Sequence, residues 1–330
     1  MVMNWLITGG CGFLGRSLIK NLLAESNHSI TVVDNLSVGS REDLKGVCDF
    51  QEVTIEERTC KPGQVQLVVG NITDADLALC LCEGMDVIVH LAANTGVGPS
   101  VENPRIDCLY NVIGTFNYLE GAREKGVKRF VFASSGAPAG ECEPPIHEEL
   151  PPHPVSPYGA SKLAGEGYCS AYFRTFGVET VALRFSNVYG PLSSKKDSVV
   201  AKFIKKIMNK EALEVYGDGY QTRDFIYIDD LIRAIVLAAN QPGIGGETFQ
   251  IAAAAETTIL ELIEQLTEAA SQVNLTEKIA HFCSDPRLGD VKRNFSDTSK
   301  AKKMLGWQAE IDLVSGLPKT IEWFIKQEAR

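Results

Sequence analysis

No apolar run in this chain approaches the roughly 20 residues that span a bilayer, so no membrane-spanning helix is expected and no membrane partner. The N-terminus shows no basic leader followed by a cleavable apolar stretch; Met1 to Ile7 lead straight into a strand and turn, and the expected location is cytoplasmic. Basic tracts are absent too. With 32 Lys and Arg against 42 Asp and Glu, the formal net charge is −10, which argues against nucleic acid or an anionic membrane as a partner. An anionic ligand would have to be met by local Arg, Lys and backbone N–H groups. Histidine is scarce, with five residues (28, 90, 147, 153 and 281) scattered without ligand spacing, so no metal site is expected. The nine cysteines contain no C-x-x-C pair, since Cys80 and Cys82 are only two apart. They read as reduced thiols used mostly for packing. Neither internal repeats nor low-complexity segments are visible.

What is present is enough for a sizeable core: 330 residues, 45% hydrophobic and 22% charged, suit one large or two modest domains. Over the first 135 residues, short β-branched runs alternate with helical patterns, which predicts a parallel sheet built from βαβ units. The expected strands are 5–8, 29–33, 66–69, 87–91, 129–133 and 178–185, with helices at 14–25, 74–82 and about 101–125. The Pro-rich stretch 141–157 is expected to be a loop before a helix carrying Tyr158. After about Tyr189 the order changes, with helices at 198–208, 229–240, 259–270 and 314–326 and strands at 213–216 and 248–251. The fold class is therefore α/β: a doubly wound parallel sheet of the Rossmann type with a smaller, discontinuous C-terminal lobe over the strand ends. The expected domains are 1–188, with about 225–250 returning to it, and 189–330 as mainly the substrate-binding lobe.

Thr8-Gly9-Gly10-Cys11-Gly12-Phe13-Leu14-Gly15 follows a strand and opens a helix. Glycines at 9, 12 and 15 let the backbone turn tightly and approach a pyrophosphate, which would sit on the helix N-terminus. An ordinary strand-to-helix turn is the plain alternative. Asp34 stands at the tip of the next strand, where a carboxylate accepts from both ribose hydroxyls and repels a 2′-phosphate, favouring NAD over NADP.

Tyr158 and Lys162, four apart on one helix, share a face. Alone, the pair reads as a solvated face; beside the Gly-rich turn and Ser134-Ser135 at the end of a strand, it describes an acid–base site next to a dinucleotide. A phenol with an unperturbed pKa of roughly 10 needs roughly 3 units of depression, about 4 kcal/mol, to serve as a base near neutral pH. One cation about 4 Å away at an effective dielectric of about 20 supplies that much. Lys162, helped by the positive ring of an oxidised nicotinamide, is the expected source.

These residues resemble the extended short-chain dehydrogenase/reductase family and, within it, the NAD-dependent nucleotide-sugar epimerases of the UDP-glucose 4-epimerase type. The resemblance covers nearly the whole chain and rests on Thr8 to Gly15, Asp34-Asn35-Leu36-Ser37, Asn71-Ile72-Thr73-Asp74, His90-Leu91-Ala92-Ala93, Ser134-Ser135, Tyr158 to Lys162, Arg184 to Pro191, Gly217 to Asp230 and Arg287 to Trp307. It implies that NAD is held by Gly9, Gly12, Phe13, Leu14, Asp34, Asn35, Asn71, Ile72, Leu91, Ala92, Ala93 and Asn111, with Tyr158 and Lys162. By the same resemblance Tyr158 is the catalytic base, Lys162 holds the nicotinamide ribose and tunes Tyr158, and Ser135 bridges the sugar hydroxyl and the phenol. The nucleotide sugar is expected to meet Ser135, Tyr158, Asn187, Ser198, Val199, Tyr216, Arg223, Arg287, Asp290 and Asn294. Two Arg aimed at a diphosphate match its oxygens by their planar forks. In relatives two helices pair across a two-fold axis, so a homodimer is expected, through faces including Tyr110, Phe116, Tyr168, Tyr172 and Phe173. The alternative is that those side chains face only the chain's own core.

The same family dehydrates or decarboxylates 4-keto sugars. A 4,6-dehydratase typically places Asp-Glu after a Thr, whereas Ser135 is followed by Gly136 and Ala137, which transfer no protons. The expected reaction is therefore C4 inversion of a UDP-hexose through a 4-keto intermediate, either UDP-glucose/UDP-galactose or the N-acetyl pair. The alternatives are glucuronate epimerisation, dehydration or decarboxylation by the same family. Pro138 and Ala139 replace the family's usual Val and Tyr and alter the wall of the sugar pocket. Asn294 stands where a Tyr in some members excludes N-acetylhexosamines. Asn187-Val188-Tyr189-Gly190-Pro191, followed by Leu192-Ser193-Ser194, lacks the Thr and downstream Arg of glucuronate epimerases. The alternative of a different class is a non-catalytic NAD-binding sensor, but such proteins usually lack the Tyr and Lys retained here.

Overall fold

A computed structural model describes residues 2–276, 278–285 and 291–328. The chain forms two compact units, the first made of Met1–Gly140, Pro151–Arg184 and Ile232–Phe249, the second of Glu141–Leu150, Phe185–Leu231 and Gln250–Arg330.

The first unit is built on strands β1 (Asn4–Thr8), β2 (Ser29–Asp34), β3 (Gln51–Glu52), β4 (Val65–Val69), β5 (Val87–His90), β6 (Arg129–Ser135) and β7 (Glu179–Phe185). With the strand Glu247–Ile251 at one edge, the sheet order runs 247–251, β7, β6, β5, β1, β2, β4, β3. The pairs β1–β2, β1–β5, β2–β4, β3–β4 and β5–β6 are parallel. A parallel sheet covered on both faces needs strands apolar throughout rather than alternating. Leu6, Ile7, Val32, Val33, Ile88, Val89, Phe130 and Phe132 are accordingly all buried. The order reverses between β1 and β5, which opens a crevice at their C-terminal ends, and the register brings Thr8 opposite both Val33 and His90.

Two of the differences from expectation lie in the first unit. The single helix predicted over about 101–125 is four pieces: Val97–Glu102, Pro104–Cys108, a π-helical turn Leu109–Gly114, and Thr115–Lys125. Pro104 cannot extend the preceding helix, and the Asn103 side chain instead caps the next piece at the Ile106 N–H. The widened turn coincides with the Thr115 hydroxyl donating to the Asn111 carbonyl (2.7 Å); such turns concentrate at functional sites. The other difference is β3, a two-residue edge strand too short for any period to reveal. The stretch 141–156 contains no helix or named strand, as its prolines predict, and the helix Pro157–Phe176 starts where Ser156 caps the Gly159 N–H.

In the second unit, helices Val199–Met208, Ile259–Gln272, Ser299–Leu305 and Leu313–Glu328 accompany three short strand pairs. These are Asn187–Tyr189 with Phe225–Tyr227, Leu213–Tyr216 with His281–Ser284, and Thr222–Arg223 with Thr257–Thr258. Asp224, wholly buried, ties the unit together by accepting from the N–H groups of Ala253, Ala254 and Ser296; burial pushes its carboxyl up to about 6. Among the described residues, no helix is long and apolar enough to cross a membrane, and no group of His, Cys, Asp and Glu could hold a metal ion.

Candidate active site

The turn after β1 uses its glycines in three different ways. Gly9 has φ +69° and a Cβ there would lie 2.9 Å from the Ala92 nitrogen, so two strand ends can meet. Gly15 packs the helix Phe13–Glu25 onto the turn; a Cβ would stand 2.5 Å from the Gly10 Cα and 2.6 Å from the Gly9 oxygen. Gly12 is the N-cap of that helix and no side chain caps it; a Cβ there would meet only the Gly9 oxygen, at 3.2 Å. An uncapped, electropositive helix start with open space over a glycine suits a pyrophosphate. Phe13 and Leu14 form the first turn of the helix.

Asp34 ends β2, nine-tenths buried, and its two oxygens accept from the N–H groups of Cys11 and Leu36, each at 2.9 Å. Burial raises its carboxyl, and those two hydrogen bonds oppose the rise. The carboxylate is thus locked to the Gly-rich turn with lone pairs left over. Asn35 accepts from the N–H and hydroxyl of Ser37. Asn71 accepts from the Thr73 N–H and donates to the Tyr110 hydroxyl, and the Ile72 carbonyl accepts from Asn117, which fixes that strand end.

A buried relay joins β1, β5 and the π-turn. The Thr8 hydroxyl oxygen accepts from the N–H groups of Leu91 and Ala92, at 3.1 and 3.0 Å. Its one proton therefore goes to His90 Nδ1, 3.0 Å away. That leaves His90 Nε2 carrying a proton to donate to the Thr115 hydroxyl (3.2 Å), which in turn donates to the Asn111 carbonyl. Burial holds the ring neutral, lowering its pKa to about 3, with Lys162 pushing the same way. His90 is a satisfied core group. The Asn111 side chain continues the scaffold: its oxygen accepts from the Asn94 N–H (2.7 Å), and its amide nitrogen shares its two protons among the Asn94 carbonyl, Asp107 and Ser161, at 2.9, 2.9 and 3.1 Å. Ala92 and Ala93 are held between these anchors.

Ser135, Tyr158 and Lys162 come together in the first unit. The Ser135 hydroxyl accepts from the Ala137 N–H (3.2 Å) and hydrogen-bonds Tyr158, favouring the phenolate. Lys162 is buried, donates to the Ala133 carbonyl (2.7 Å), and lies 4.8 Å from the Phe132 ring centroid and 5.9 Å from that of Tyr158. Burial pushes the phenol up to about 12, against the hydrogen bond from Ser135, and Asp107 adds to the rise. Burial also brings Lys162 down to about 8, against the pull of Asp107, Glu166 and Cys169. Burial is the largest influence on each of the two groups.

Of the residues expected to meet a nucleotide sugar, Ser135 and Tyr158 belong to the first unit; Asn187, Ser198, Val199, Tyr216, Arg223 and Asn294 belong to the second. Asn187 donates to the Asp224 carbonyl (3.2 Å) and Arg223 to the carbonyls of Thr222 and Val291 (2.6 and 2.9 Å). Tyr216 donates to Glu214, and the Asn294 N–H to Thr222. Ser198 is the N-cap of the helix beginning at Val199, makes no capping bond, and its hydroxyl oxygen is buried with no partner among the described residues. Arg287 and Asp290 lie outside the described residues.

Residues 5–252 match the NAD dependent epimerase/dehydratase family. The chain belongs to that family. It is 35% identical over 327 residues to a UDP-glucose 4-epimerase of Mycolicibacterium smegmatis, covering 98% of each chain. The crystal structure of UDP-glucose 4-epimerase with UDP-glucose from Thermotoga maritima superposes with a TM-score of 0.87 at 33% identity, covering 99% of this chain and 100% of that one. A UDP-N-acetylglucosamine 4-epimerase from Methanobrevibacter ruminantium, in complex with UDP-N-acetylmuramic acid, gives 0.86 at 28% identity and 99% of each chain.

Within this epimerase/dehydratase fold, several residues that shape the site had no motif to announce them. Thr115 is an ordinary helix residue in sequence, and only the pairing of β1 with β5 shows how it joins Thr8 through His90. Glu166, one turn beyond Lys162, holds Arg184 of β7 through two 2.8 Å bonds and accepts from Ser134 at 2.5 Å. Its spacing from Lys162 on one helix face was a usable signal. Asp107 offered none.

Proposed function

We propose that this protein is an NAD-dependent isomerase that inverts C4 of a UDP-hexose, UDP-glucose/UDP-galactose or their N-acetyl counterparts. The observation that carries the reading is the meeting of Ser135, Tyr158 and Lys162 beside Gly136 and Ala137. A Cβ on Gly136 would meet nothing within 4 Å, and Ala137 opens a single 3-10 turn, so no acid or base follows the catalytic serine to drive loss of water. Relatives that act on UDP-glucose and on UDP-N-acetylglucosamine support the substrate class.

In this reading Gly12 with the first turn of its helix holds the pyrophosphate, Asp34 the adenosine ribose, Asn71 and Ile72 the adenine side, and Leu91 to Ala93 with Asn111 the channel wall. NAD, when bound, supplies the hydride acceptor and donor at sugar C4 and a positive ring that favours the Tyr158 phenolate. Tyr158 takes the proton from the 4-hydroxyl and returns it after the 4-keto sugar has turned over. Ser135 holds the sugar oxygen against the phenol, and Lys162 holds the nicotinamide ribose. Asn187, Arg223 and Arg287 meet the diphosphate, and Ser198 and Val199, at a helix start that lacks a cap, offer donors to the nucleotide. Tyr216, Asp290 and Asn294 complete the nucleotide-sugar lobe, so that 189–330 is mainly substrate-binding and 1–188 mainly cofactor-binding. Burial of the reacting atoms protects the ketone from water.

The protein acts in the cytoplasm as a homodimer. Val101, Leu109, Ile113, Tyr168 and Phe176 are exposed on the helices expected to pair. Of the other aromatic residues expected there, Tyr172 instead donates to Glu120 inside the unit, and Phe173 packs against Gly245 and Gly246.

The test is incubation of purified protein with UDP-glucose, UDP-N-acetylglucosamine and UDP-glucuronate separately, without added NAD, with products read by proton NMR. The 4-epimer of a neutral hexose is expected from the wild type and a loss of about 100-fold or more from Tyr158→Phe, as for a general base. NAD found bound with no epimer from any of the three would overturn the reading in favour of a cofactor-bound sensor or another carbon.

A further inference from the structure

We propose that Glu166 is a positioning residue of this site: bound on both oxygens, it fastens the helix carrying Tyr158 and Lys162 to Ser134, the residue before Ser135, and so fixes where the serine meets the phenol. The proposal rests on the reading of Ser135, Tyr158 and Lys162 as the reacting groups.

Glu166 lies on the helix Pro157–Phe176, one turn beyond Lys162 and two beyond Tyr158. Its Oε1 accepts from the Ser134 hydroxyl at 2.5 Å and from Arg184 Nε at 2.8 Å, and its Oε2 accepts from Arg184 Nη2 at 2.8 Å. Glu166, Arg184 and Ser134 are all buried, so one carboxylate joins the helix, the end of β6 and the end of β7 away from water. Two parallel bonds from a planar guanidinium need two accepting oxygens side by side. An amide at 166, turned either way, would set its NH2 against an N–H of Arg184. The geometry itself therefore calls for a carboxylate at this position.

A second tie runs beside the first. Lys162 Nζ donates to the Ala133 carbonyl at 2.7 Å, so the helix meets consecutive residues of β6: Ala133 through Lys162, and Ser134 through Glu166. Two attachments about 6 Å apart along a helix keep it from pivoting on the strand, which a single attachment does not. The two differ in what else they do. Lys162 is the group expected to turn donors toward the nicotinamide ribose, whereas Glu166 has both oxygens committed within the protein. When Lys162 is drawn to a ligand, Glu166 keeps the helix in register with the strand. The next residue of β6 is Ser135, whose hydroxyl accepts from the Ala137 N–H at 3.2 Å and bonds Tyr158, and a shift of the helix would open that bond.

The experiment uses the whole chain, labelled at tyrosine, and follows the Tyr158 Cζ signal by carbon NMR. The signal is assigned by its absence from Tyr158→Phe and compared with Ser135→Ala, where the bond from the serine is gone. Ser134→Ala keeps the Glu166–Arg184 pair and removes its link to β6. It should move the Tyr158 signal toward the Ser135→Ala position, and Ser134→Thr, which restores a hydroxyl, should bring it back. Thr180→Val is the control for mere weakening of the same helix: it deletes another buried bond, from the Thr180 hydroxyl to the Cys169 carbonyl (2.6 Å), without touching Ser134. It should lower Tm and leave the Tyr158 signal in place. With a UDP-hexose as substrate, Ser134→Ala should lower kcat about 10- to 100-fold, as a misplaced reacting group does, with KM nearly unchanged, and Thr180→Val should alter neither. A Tyr158 signal unmoved in Ser134→Ala, or moved equally in Ser134→Ala and Thr180→Val, would overturn the proposal. Glu166→Gln should shift the signal at least as far as Ser134→Ala; if it does not fold, the Ser134 arm still decides. The NMR arm uses no nucleotide sugar, so failure to turn over a UDP-hexose would count against the proposed function and leave this test standing.

Discussion

Gly12 and Gly15 are three residues apart in one turn, yet the structure assigns their alanine variants opposite failures. At Gly15 a methyl would stand 2.5 Å from the Gly10 Cα, 2.6 Å from the Gly9 oxygen and 2.8 Å from the Gly10 carbonyl carbon. All three are backbone atoms, and ordinary contacts begin at about 3.5 Å, so the helix or the turn must move by roughly 1 Å. Overpacking of this kind costs about 1–3 kcal/mol, and each kcal/mol lowers Tm by about 2–4 °C in a large domain. At Gly12 the backbone is already at φ −75°, ψ 179°, open to any residue, and the methyl meets one oxygen at 3.2 Å. Gly12→Ala should therefore melt within about 2 °C of wild type while losing NAD, because its methyl fills the approach to the helix N-terminus. Differential scanning calorimetry gives the first quantity, and calorimetric titration of NAD into cofactor-stripped protein gives the second. Gly15→Ala should lose stability first and affinity only as a consequence. A Gly12→Ala protein that binds NAD as tightly as wild type would refute the placement of the pyrophosphate over this turn.

Asp34→Ser should weaken NAD by roughly 10- to 100-fold, the worth of a hydrogen bond to a charged group at about 1.5–3 kcal/mol, and bring NADP closer to parity; unchanged NADP discrimination would remove Asp34 from the ribose. His90, held near 3 when folded, releases its proton on folding at any pH between there and its unfolded value near 6.5. The unfolded state binds the extra proton, so stability is full above about 6.5 and falls as pH drops toward 3, by up to about 1.4 kcal/mol per unit. Urea unfolding of wild type and His90→Gln at pH 7 and pH 5 should show a smaller pH difference in the variant.

Much of the first unit could be read from its sequence because each element carried its own local signal. The runs Trp5-Leu6-Ile7 and Val87-Ile88-Val89 are apolar throughout and lie buried in the sheet. The glycine spacing marked a turn whose three contacts differ in kind but agree in location. Local signals failed where a tertiary partner decides the local structure. The π-turn at Leu109–Gly114 accompanies a Thr115 hydroxyl on the Asn111 carbonyl and an Asn111 side chain held by Asn94, Asp107 and Ser161, none of which a hydrophobic period reports. The strand pairs of the second unit are two to four residues long, too short to show alternation.

The acid–base chemistry shows the same division more sharply. Tyr158 and Lys162 announce themselves by spacing, and their spacing suggests that the ammonium lowers the phenol. Burial reverses that for the protein's own groups, since the helix that places the two side chains together also takes both out of water. The charges that oppose this effect of burial on Lys162 include Asp107 before the π-turn and Glu166, which is committed to Arg184 on β7. A phenol near 12 beside a lysine near 8 remains protonated at neutral pH, whatever its distance from a sugar hydroxyl. In the proposed function, base catalysis by Tyr158 would therefore need a positive charge brought in with the ligands. The ring of oxidised NAD would supply such a charge. Burial of the phenol would then favour proton abstraction in the complex with oxidised NAD.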